Sequence, residues 1–521
     1  MFGIWDLGFG ILEFVFLRRG MFTFTKEGVV KLEMLLQDVD VREWSGVRDV
    51  DISSVAYHSG DVRKGGLFCT WKGEKSDGHQ YIAQAIERGA AAIVAEKIEP
   101  SFKGASIRVA AGRPALAWIS ANFFSRPAEK LDVIGVTGTN GKTSTAILIR
   151  HFLENAKRKT GLIGTIGYDF GKGMMPAERT TPEGLELQTY FDTMTRNGCR
   201  SAVMEVSSHA LDQGRVEGIS YRAAVFTNLT RDHLDYHGTM ENYFYAKQKL
   251  FTRLSSGSVA VLNADDEWSA QIAAHLPNEV RVIRYGISSK ETAFFAEKIQ
   301  CRANGTQFVL KTPEGDYRVE TPWLGMFSVL NILAAVSTGF ALGLRVEDMS
   351  RWITTQSCVT GRMETVPHDG NFAVVVDYAH TDDAVRKALQ ALRPLAKKKL
   401  KVLIGCGGNR DKTKRPLMAR AACELADEVA FTSDNPRDED PMQILYDMLA
   451  GVRGMKNFHV YPEREEAIRE ILRGAQEGDV ILIAGKGHET TQEICGQKFP
   501  FSDREVAWKI LQEANHEATC A

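Results

Sequence analysis

Residues 135–143 read GVTGTNGKT. Glycines at 138 and 141 let successive backbone N–H groups face a phosphate, and a helix opening at Lys142 adds positive potential at its N-terminus. In such a loop the lysine, Lys142, reaches the β/γ-phosphates and the Thr143 hydroxyl reaches Mg²⁺. Gly138, Thr139, Asn140, Gly141 and Ser144 make up the rest of the candidate ATP loop. The match is partial, because Val136 stands where the strict pattern has its first glycine. Further on, VMEVSSH (203–209) ends an apolar run with Glu205. A carboxylate is poorly solvated there unless it binds a cation. NLTRDHLDYH (228–237) contains His233, and YFYAKQKLF (243–251) contains Lys247. Alone, such a histidine is usually structural and such a lysine usually a solvated helix residue. Their company with the phosphate loop makes both candidates for chemistry.

The elements that must hold these residues are legible as periodicity. Leu131–Val136 is a short β-branched run feeding the Gly-rich turn, and an amphipathic helix is predicted from about Lys142 to Ala156. Ala202–Val206, Ala223–Phe226 and Val259–Leu262 read as further buried strands. Near the C-terminus, Phe372–Val376, Leu400–Ile404, Glu428–Thr432 and Val480–Ala484 alternate with helical patterns over Ala384–Lys397 and Arg464–Ala475. Strands alternating with helices predict α/β units with parallel sheets covered on both faces. Ligands bind such sheets at loops beyond the strand C-termini, where the motifs sit. An N-terminal block, roughly Lys31 to Gly112, is mixed α/β and includes a helix over Tyr81–Arg88 and a strand over Ala91–Val94.

With 521 residues, more than one domain is expected. A formal net charge of −2 argues against a general nucleic-acid binder. Anionic substrates must then be held by local positive groups. The eight cysteines are scattered without CxxC spacing, which fits a reducing cytoplasm and carries no zinc signature. The first twenty residues, MFGIWDLGFGILEFVFLRRG, are apolar but interrupted by Asp6 and Glu13, and their arginines follow the apolar part. A secretory signal has the reverse order, so no membrane insertion is expected; these twenty residues read as a dispensable part of an N-terminal extension over 1–30, with a weak membrane-surface helix as the alternative.

GTNGKT, EVSSHAL, NLTRDHLDYHG and AKQKLF, in this order, resemble the Mur ligase family, the ATP-dependent amide-forming enzymes of peptidoglycan synthesis. The resemblance runs from about Lys31 to Arg504. It implies a UDP-sugar-binding α/β domain over 31–112, a central P-loop ATPase domain with a parallel sheet over 113–360, and a C-terminal Rossmann-like, amino-acid-binding domain over 361–521. It further implies that Lys247 is carbamylated, an N6-carboxylysine. Thr143 and Glu205 would hold the nucleotide Mg²⁺, with His233 and the carbamate on a second site; hard oxygen ligands suit Mg²⁺. Lys142, Glu205, His233 and Lys247 are thereby the implied catalytic set.

SVAYHSGDVRKGGLFCTWKGEKSDGHQYI (54–82) resembles the UDP-binding domain of the family members that add the third amino acid. Those usually have Asp-Ser-Arg where this chain has His58-Ser59-Gly60. Ser59, His79, Thr180, Thr181, Ser207, Gln213 and Arg215 match positions for the UDP-sugar-peptide; by itself the threonine pair could be a simple turn before Pro182. GRME (361–364) and DYAHT (377–381) give Arg362, Asp377 and His380 as nucleotide contacts, joined by Asn331, while Ser328 replaces a usual asparagine. GCGGNRDKTKRP (405–416) lacks the third glycine of a dinucleotide fingerprint. DNPR (434–437) resembles a diaminopimelate-selective signature. With GKGHE (485–489) it implies an amino-acid pocket of Arg410, Asp434, Asn435, Pro436, Arg437, Gly485 and Glu489. The implied reaction is ATP-dependent ligation of meso-diaminopimelate to UDP-N-acetylmuramoyl-L-alanyl-D-glutamate through an acyl phosphate. An L-lysine-adding relative, a folylpolyglutamate-type ligase and a non-catalytic nucleotide-binding regulator are the alternatives. Retention of Lys142, Glu205 and Lys247 weighs against the regulator.

Overall fold

The computed structural model describes residues 25–73, 76–97, 102–289, 292–302 and 305–520. The apolar N-terminal stretch, residues 1–20, lies outside them. Among the described residues three large sheets succeed one another along the chain, each with helices packed on it, and a fourth, two-stranded one follows the last.

The first sheet has six strands in the order Thr25–Lys31, Asp51–Ala56, Leu67–Cys69, Ala92–Ala95, Ala105–Val109, Val41–Gly46. Its four inner strands are parallel and its two edges antiparallel. Two expected boundaries move. The first strand begins at Thr25 and pairs with Asp51–Ala56, so residues 25–30 belong to this sheet and not to an extension. The helix Gly112–Phe123 packs Leu116, Ile119 and Phe123 into one core with Leu32, Ile52 and Val94, so the unit runs past residue 112. Its packing partners lie some twenty to ninety residues upstream, which local periodicity does not report.

The central sheet has eleven strands. Seven are parallel, Thr160–Gly164, Ser201–Glu205, Asp132–Thr137, Ala223–Phe226, Val259–Asn263, Arg281–Gly286 and Phe294–Arg302. Antiparallel strands flank them: Gly167–Asp169 and Met174–Met175 on one side, Gly305–Thr312 and Gly315–Thr321 on the other. The expected parallel sheet is therefore mixed at its margins. Period-two alternation splits each inner strand between two cores: Ile134 and Val136 face one, Val133 the other.

The third sheet runs Glu364–Thr365, Ala373–Asp377, Val480–Ala484, Leu400–Ile404, Glu428–Thr432, Phe458–Tyr461 and is parallel apart from the two-residue first strand. Val375 and Val376 enter opposite cores. A hairpin, Thr491–Ile494 with Gln497–Pro500, follows the sheet. Among the described residues no helix is long and apolar enough to cross a membrane.

Candidate active site

The strand Asp132–Thr137 ends in the phosphate loop, and the helix Lys142–Asn155 starts from it. The two loop glycines have different reasons. Gly138 has φ +148°, and a Cβ there would lie 1.9 Å from Thr227 Oγ1. At Gly141, φ is +84° and a Cβ would lie 2.3 Å from Asn331 Oδ1. The loop is thus packed from below by the end of the next strand and from the side by Asn331. Lys142 Nζ turns back and donates to the Gly138 and Thr139 carbonyls at 2.9 Å each. Thr143 Oγ1 donates to Glu205 Oε2 at 2.9 Å. The other oxygen of Glu205 accepts from Thr165 N at 2.8 Å.

Lys247 reaches this loop from underneath. Thr239 caps its helix, Met240–Thr252, by accepting from Asn242 N. Tyr243, Lys247, Leu250 and Phe251 recur at helical spacing, so the lysine lies in a buried stripe. It is 1% exposed, sits 4.5 Å from the Tyr243 ring centroid and donates to Gly138 O at 2.8 Å. Burial first, then the nearby Lys142 ammonium, push its amine well below the usual lysine range. His233, with φ +54°, stands 3.4 Å from the Asp232 carboxylate and edge-on to His209.

A cleft of about 700 Å³ opens between this loop and the third unit. Arg362 spans it: the guanidinium lies 4.5 Å over the Tyr378 ring, and Nη2 donates to Thr143 Oγ1 at 3.3 Å. Asp377 accepts from Met363 N and Ala379 N at 2.8 Å each, and burial raises its carboxyl. His380 is held by the Tyr378 carbonyl, and burial pushes its imidazole down to about 4. Asn140 Nδ2 to Asp383 at 3.2 Å and Arg231 to Thr413 at 3.2 Å also join the two units.

At the far end, Arg410, Asp434, Asn435, Arg437, Gly485 and Glu489 line the same cleft. Asn435 Nδ2 donates to Glu489 Oε2 at 2.7 Å, and Arg437 Nη1 donates to Gly408 O at 2.7 Å. A Cβ at Gly485 would lie 2.5 Å from Asp434 Oδ2. Pro436 does not line the cleft; its carbonyl occupies the space a side chain at Gly408 would need.

Thr180 and Thr181 flank Glu205 from the other side. Thr181 Oγ1 donates to Glu205 O at 2.8 Å and accepts from Ser207 N at 3.0 Å, while Arg215 bonds Thr181 O at 3.1 Å and Gln213 Oε1 at 2.9 Å. These five residues form one group. Ser59 and His79 are not brought to the cleft. Ser59 Oγ donates to Gln84 Oε1 at 2.6 Å, and His79 Nδ1 lies 2.6 Å from Asp77, both inside the first unit. His58 and Gly60 have a local role: His58 Nδ1 accepts from Gly60 N at 3.2 Å and caps a short turn. Ser328 Oγ donates to the carbonyl of Leu324, just ahead of its helix Met326–Ala341, at 2.7 Å and is buried.

Matches to known protein families divide the chain as its sheets do. The Mur ligase family catalytic domain matches residues 51–124, the Mur ligase middle domain 136–339, and the Mur ligase glutamate ligase domain 361–487. A Geobacillus thermodenitrificans protein named UDP-N-acetylmuramoyl-L-alanyl-D-glutamate–2,6-diaminopimelate ligase is 48% identical over 470 residues, 89% of this chain and 95% of its own. The chain belongs to the Mur ligase family. A Bacillus velezensis protein of the same name is 46% identical over 477 residues, covering 90% of this chain and 96% of its own. A solved structure of a ligase so named superposes with a TM-score of 0.68 at 32% identity, covering 94% of this chain and 100% of its own. As a Mur ligase the protein is an ATP-dependent ligase.

The donors beside the phosphate loop of this Mur ligase fit a small hard cation: one carboxylate, Glu205, with the Thr143 hydroxyl against it. Mg²⁺ takes few protein ligands and fills its other positions from phosphates and water. Among the described residues no three His, Cys, Asp or Glu side chains gather as a metal cage. Residues not singled out from sequence also line the cleft, among them Thr165, His209, Asp232, Asp266 and Tyr378. His209, Asp232 and Tyr378 lie inside motifs already quoted. Thr165 and Asp266 carry no sequence signal and come close only through the sheet.

Proposed function

We propose that this protein joins meso-diaminopimelate to the D-glutamyl residue of UDP-N-acetylmuramoyl-L-alanyl-D-glutamate in the cytoplasm, using ATP. The carrying observation is the single cleft that has the phosphate loop at one end and the Arg437–Asn435–Glu489 pocket at the other. The substrate carboxylate would take the γ-phosphoryl group of ATP, releasing ADP. The diaminopimelate amine would then attack the acyl carbon, lose a proton and expel phosphate, forming the amide. Bound Mg²⁺ would supply charge neutralisation on the phosphates.

The chain's own residues divide the work. Within Gly138–Thr143, where Asn228 takes the N–H groups of Thr139 and Asn140, the remaining backbone N–H groups would face the triphosphate, and Lys142 would swing from the loop carbonyls to the phosphates. Thr143 and Glu205 would hold the nucleotide-side cation; His233 and a carbamylated Lys247 would hold a second. Burial, which pushes the Lys247 amine well below the usual lysine range, supports that reading, since only an unprotonated amine adds CO₂. Asn331, Arg362, Asp377 and His380 close on the nucleotide, while Thr180, Thr181, Ser207, Gln213 and Arg215 hold the peptide near Glu205. Ser59 and His79 would take the distant uridine end. With the amine fixed beside the acyl phosphate and water excluded, positioning carries much of the rate.

The test is a ligation assay following ADP, phosphate and amide product with the UDP-dipeptide and either amino acid. Amide formation with diaminopimelate and little with L-lysine is expected. Equal use of lysine would move the protein to the lysine-adding branch.

A further inference from the structure

The hairpin Thr491–Ile494/Gln497–Pro500 lies outside the sheets, and no motif drew attention to it. Its first strand is nevertheless sewn to the loop that carries Arg437. Arg437 has φ +52°, a left-handed conformation that bulky side chains adopt only when their surroundings impose it. Both of its backbone groups are bound to the hairpin: Arg437 N donates to Glu493 O at 3.0 Å, and Cys495 N donates to Arg437 O at 2.7 Å. The Glu493 carboxylate then faces Arg437 Nε at 3.3 Å, and Glu493 N donates to Asn435 Oδ1 at 2.9 Å. One residue therefore touches two members of the pocket, through side chain and backbone.

The consequence is geometric. A guanidinium has five N–H groups in a rigid plane. With Nε turned to Glu493 and one Nη1 hydrogen on Gly408 O, the plane cannot rotate about its stem. Three N–H groups remain to face the cleft that Arg437 lines. Asn435 is fixed in the same way: its Oδ1 accepts from Lys486 Nζ at 3.0 Å and from Glu493 N, so its Nδ2 must point to Glu489.

We infer that Glu493 is a positioning and specificity-determining residue, which aims the Arg437 guanidinium at the distal carboxylate of the incoming diamino acid. This rests on the proposed diaminopimelate ligation. Glu493 itself touches no substrate and acts through Arg437.

The experiment measures steady-state constants for diaminopimelate, ATP and the UDP-dipeptide in the wild type, Glu493→Ala, Glu493→Gln, Arg437→Ala and the Arg437→Ala/Glu493→Ala pair. Glu493→Ala is expected to raise KM for diaminopimelate about tenfold, the scale of one orienting contact to a charged group, with the other two KM values and kcat nearly unchanged. Glu493→Gln, whose amide oxygen can still face Nε, should recover most of the loss. In the Arg437→Ala background, Glu493→Ala should add nothing. Unchanged diaminopimelate kinetics in Glu493→Ala would overturn the inference. So would parallel losses for all three substrates, or additive losses in the pair. A wild type that does not ligate diaminopimelate would overturn the functional proposal instead. If Glu493→Ala does not fold, Glu493→Gln with a diaminopimelate KM near that of Arg437→Ala would also overturn it, and near-wild-type kinetics would support it.

Discussion

Arg464 and Asp503 are both fully buried and meet in a paired contact, Nε to Oδ1 and Nη2 to Oδ2 at 2.7 Å each. The guanidinium also donates to the carbonyls of Ser433 at 3.2 Å and Ala484 at 2.9 Å. Ser433 follows the strand Glu428–Thr432 and Ala484 ends the strand Val480–Ala484, and they immediately precede Asp434 and Gly485, so the pair clamps the two pocket loops from below. Asp503→Ala leaves a buried, uncompensated cation, which costs about 3–5 kcal/mol. For a unit of this size each kcal/mol lowers Tm by roughly 2–4 °C, so a fall of about 6–20 °C is expected. Scanning calorimetry on the full chain measures it. Adding Arg464→Met removes the orphan charge and should return most of the loss, because apolar replacement of both partners of a buried pair is often neutral. In the single variant KM for the amino acid should rise before KM for ATP. A Tm fall below about 2 °C, or no recovery in the double variant, would refute the reasoning, since it would mean that solvent or a neighbour already compensates Arg464.

Three further outcomes are expected. Lys247→Ala should lose most ligase activity, with formate or acetate restoring part of it by occupying the space of a carbamate; full activity in the variant would remove Lys247 from the reaction. Arg437→Ala should lower kcat/KM for diaminopimelate by a factor that can approach about 10⁴ while leaving lysine kinetics little changed, and Arg437→Lys should recover only part, because an ammonium lacks the planar fork; equal losses for both amino acids would make its role structural. The Arg415 guanidinium holds the Glu439 carboxyl down at about 2 from its ordinary 4.5. A lowered carboxyl stabilises the fold above its unfolded value and loses that contribution as pH falls toward its folded value. Thermal melts should therefore show the wild type exceeding Glu439→Gln at neutral pH, with the difference shrinking between about pH 4.5 and about pH 2; a gap independent of pH would contradict it.

What could be read in advance follows from where each signal resides. Leu400–Ile404, Glu428–Thr432 and Val480–Ala484 appear at the expected residues because a parallel strand buried on both faces is a bare apolar run with polar ends. The phosphate loop was legible because its glycines answer to local backbone geometry. Gly305–Thr312 and Gly315–Thr321 give no bare apolar run: they mix polar with apolar residues, the second carries three charges, and they lie at a sheet margin. Lys486 looks like a surface lysine between glycines, yet it is fully buried and donates to Asn435, Glu489 and Thr491. Its burial is created by the hairpin that follows it, which a linear reading cannot see. The same limit applies to Asn331, whose contact with Gly141 bridges almost two hundred residues of chain.

The width of the central sheet raises a problem that its two margins answer. An open sheet offers unpaired N–H and C=O groups at each edge, a template on which another copy could add a strand and begin a fibre. One margin here is Met174–Met175, two residues long and too short to nucleate such growth. The other, Gly315–Thr321, turns Asp316, Arg318 and Glu320 outward, so an incoming strand would meet alternating charge. Edge-to-edge growth of the eleven-stranded sheet is therefore disfavoured at both margins.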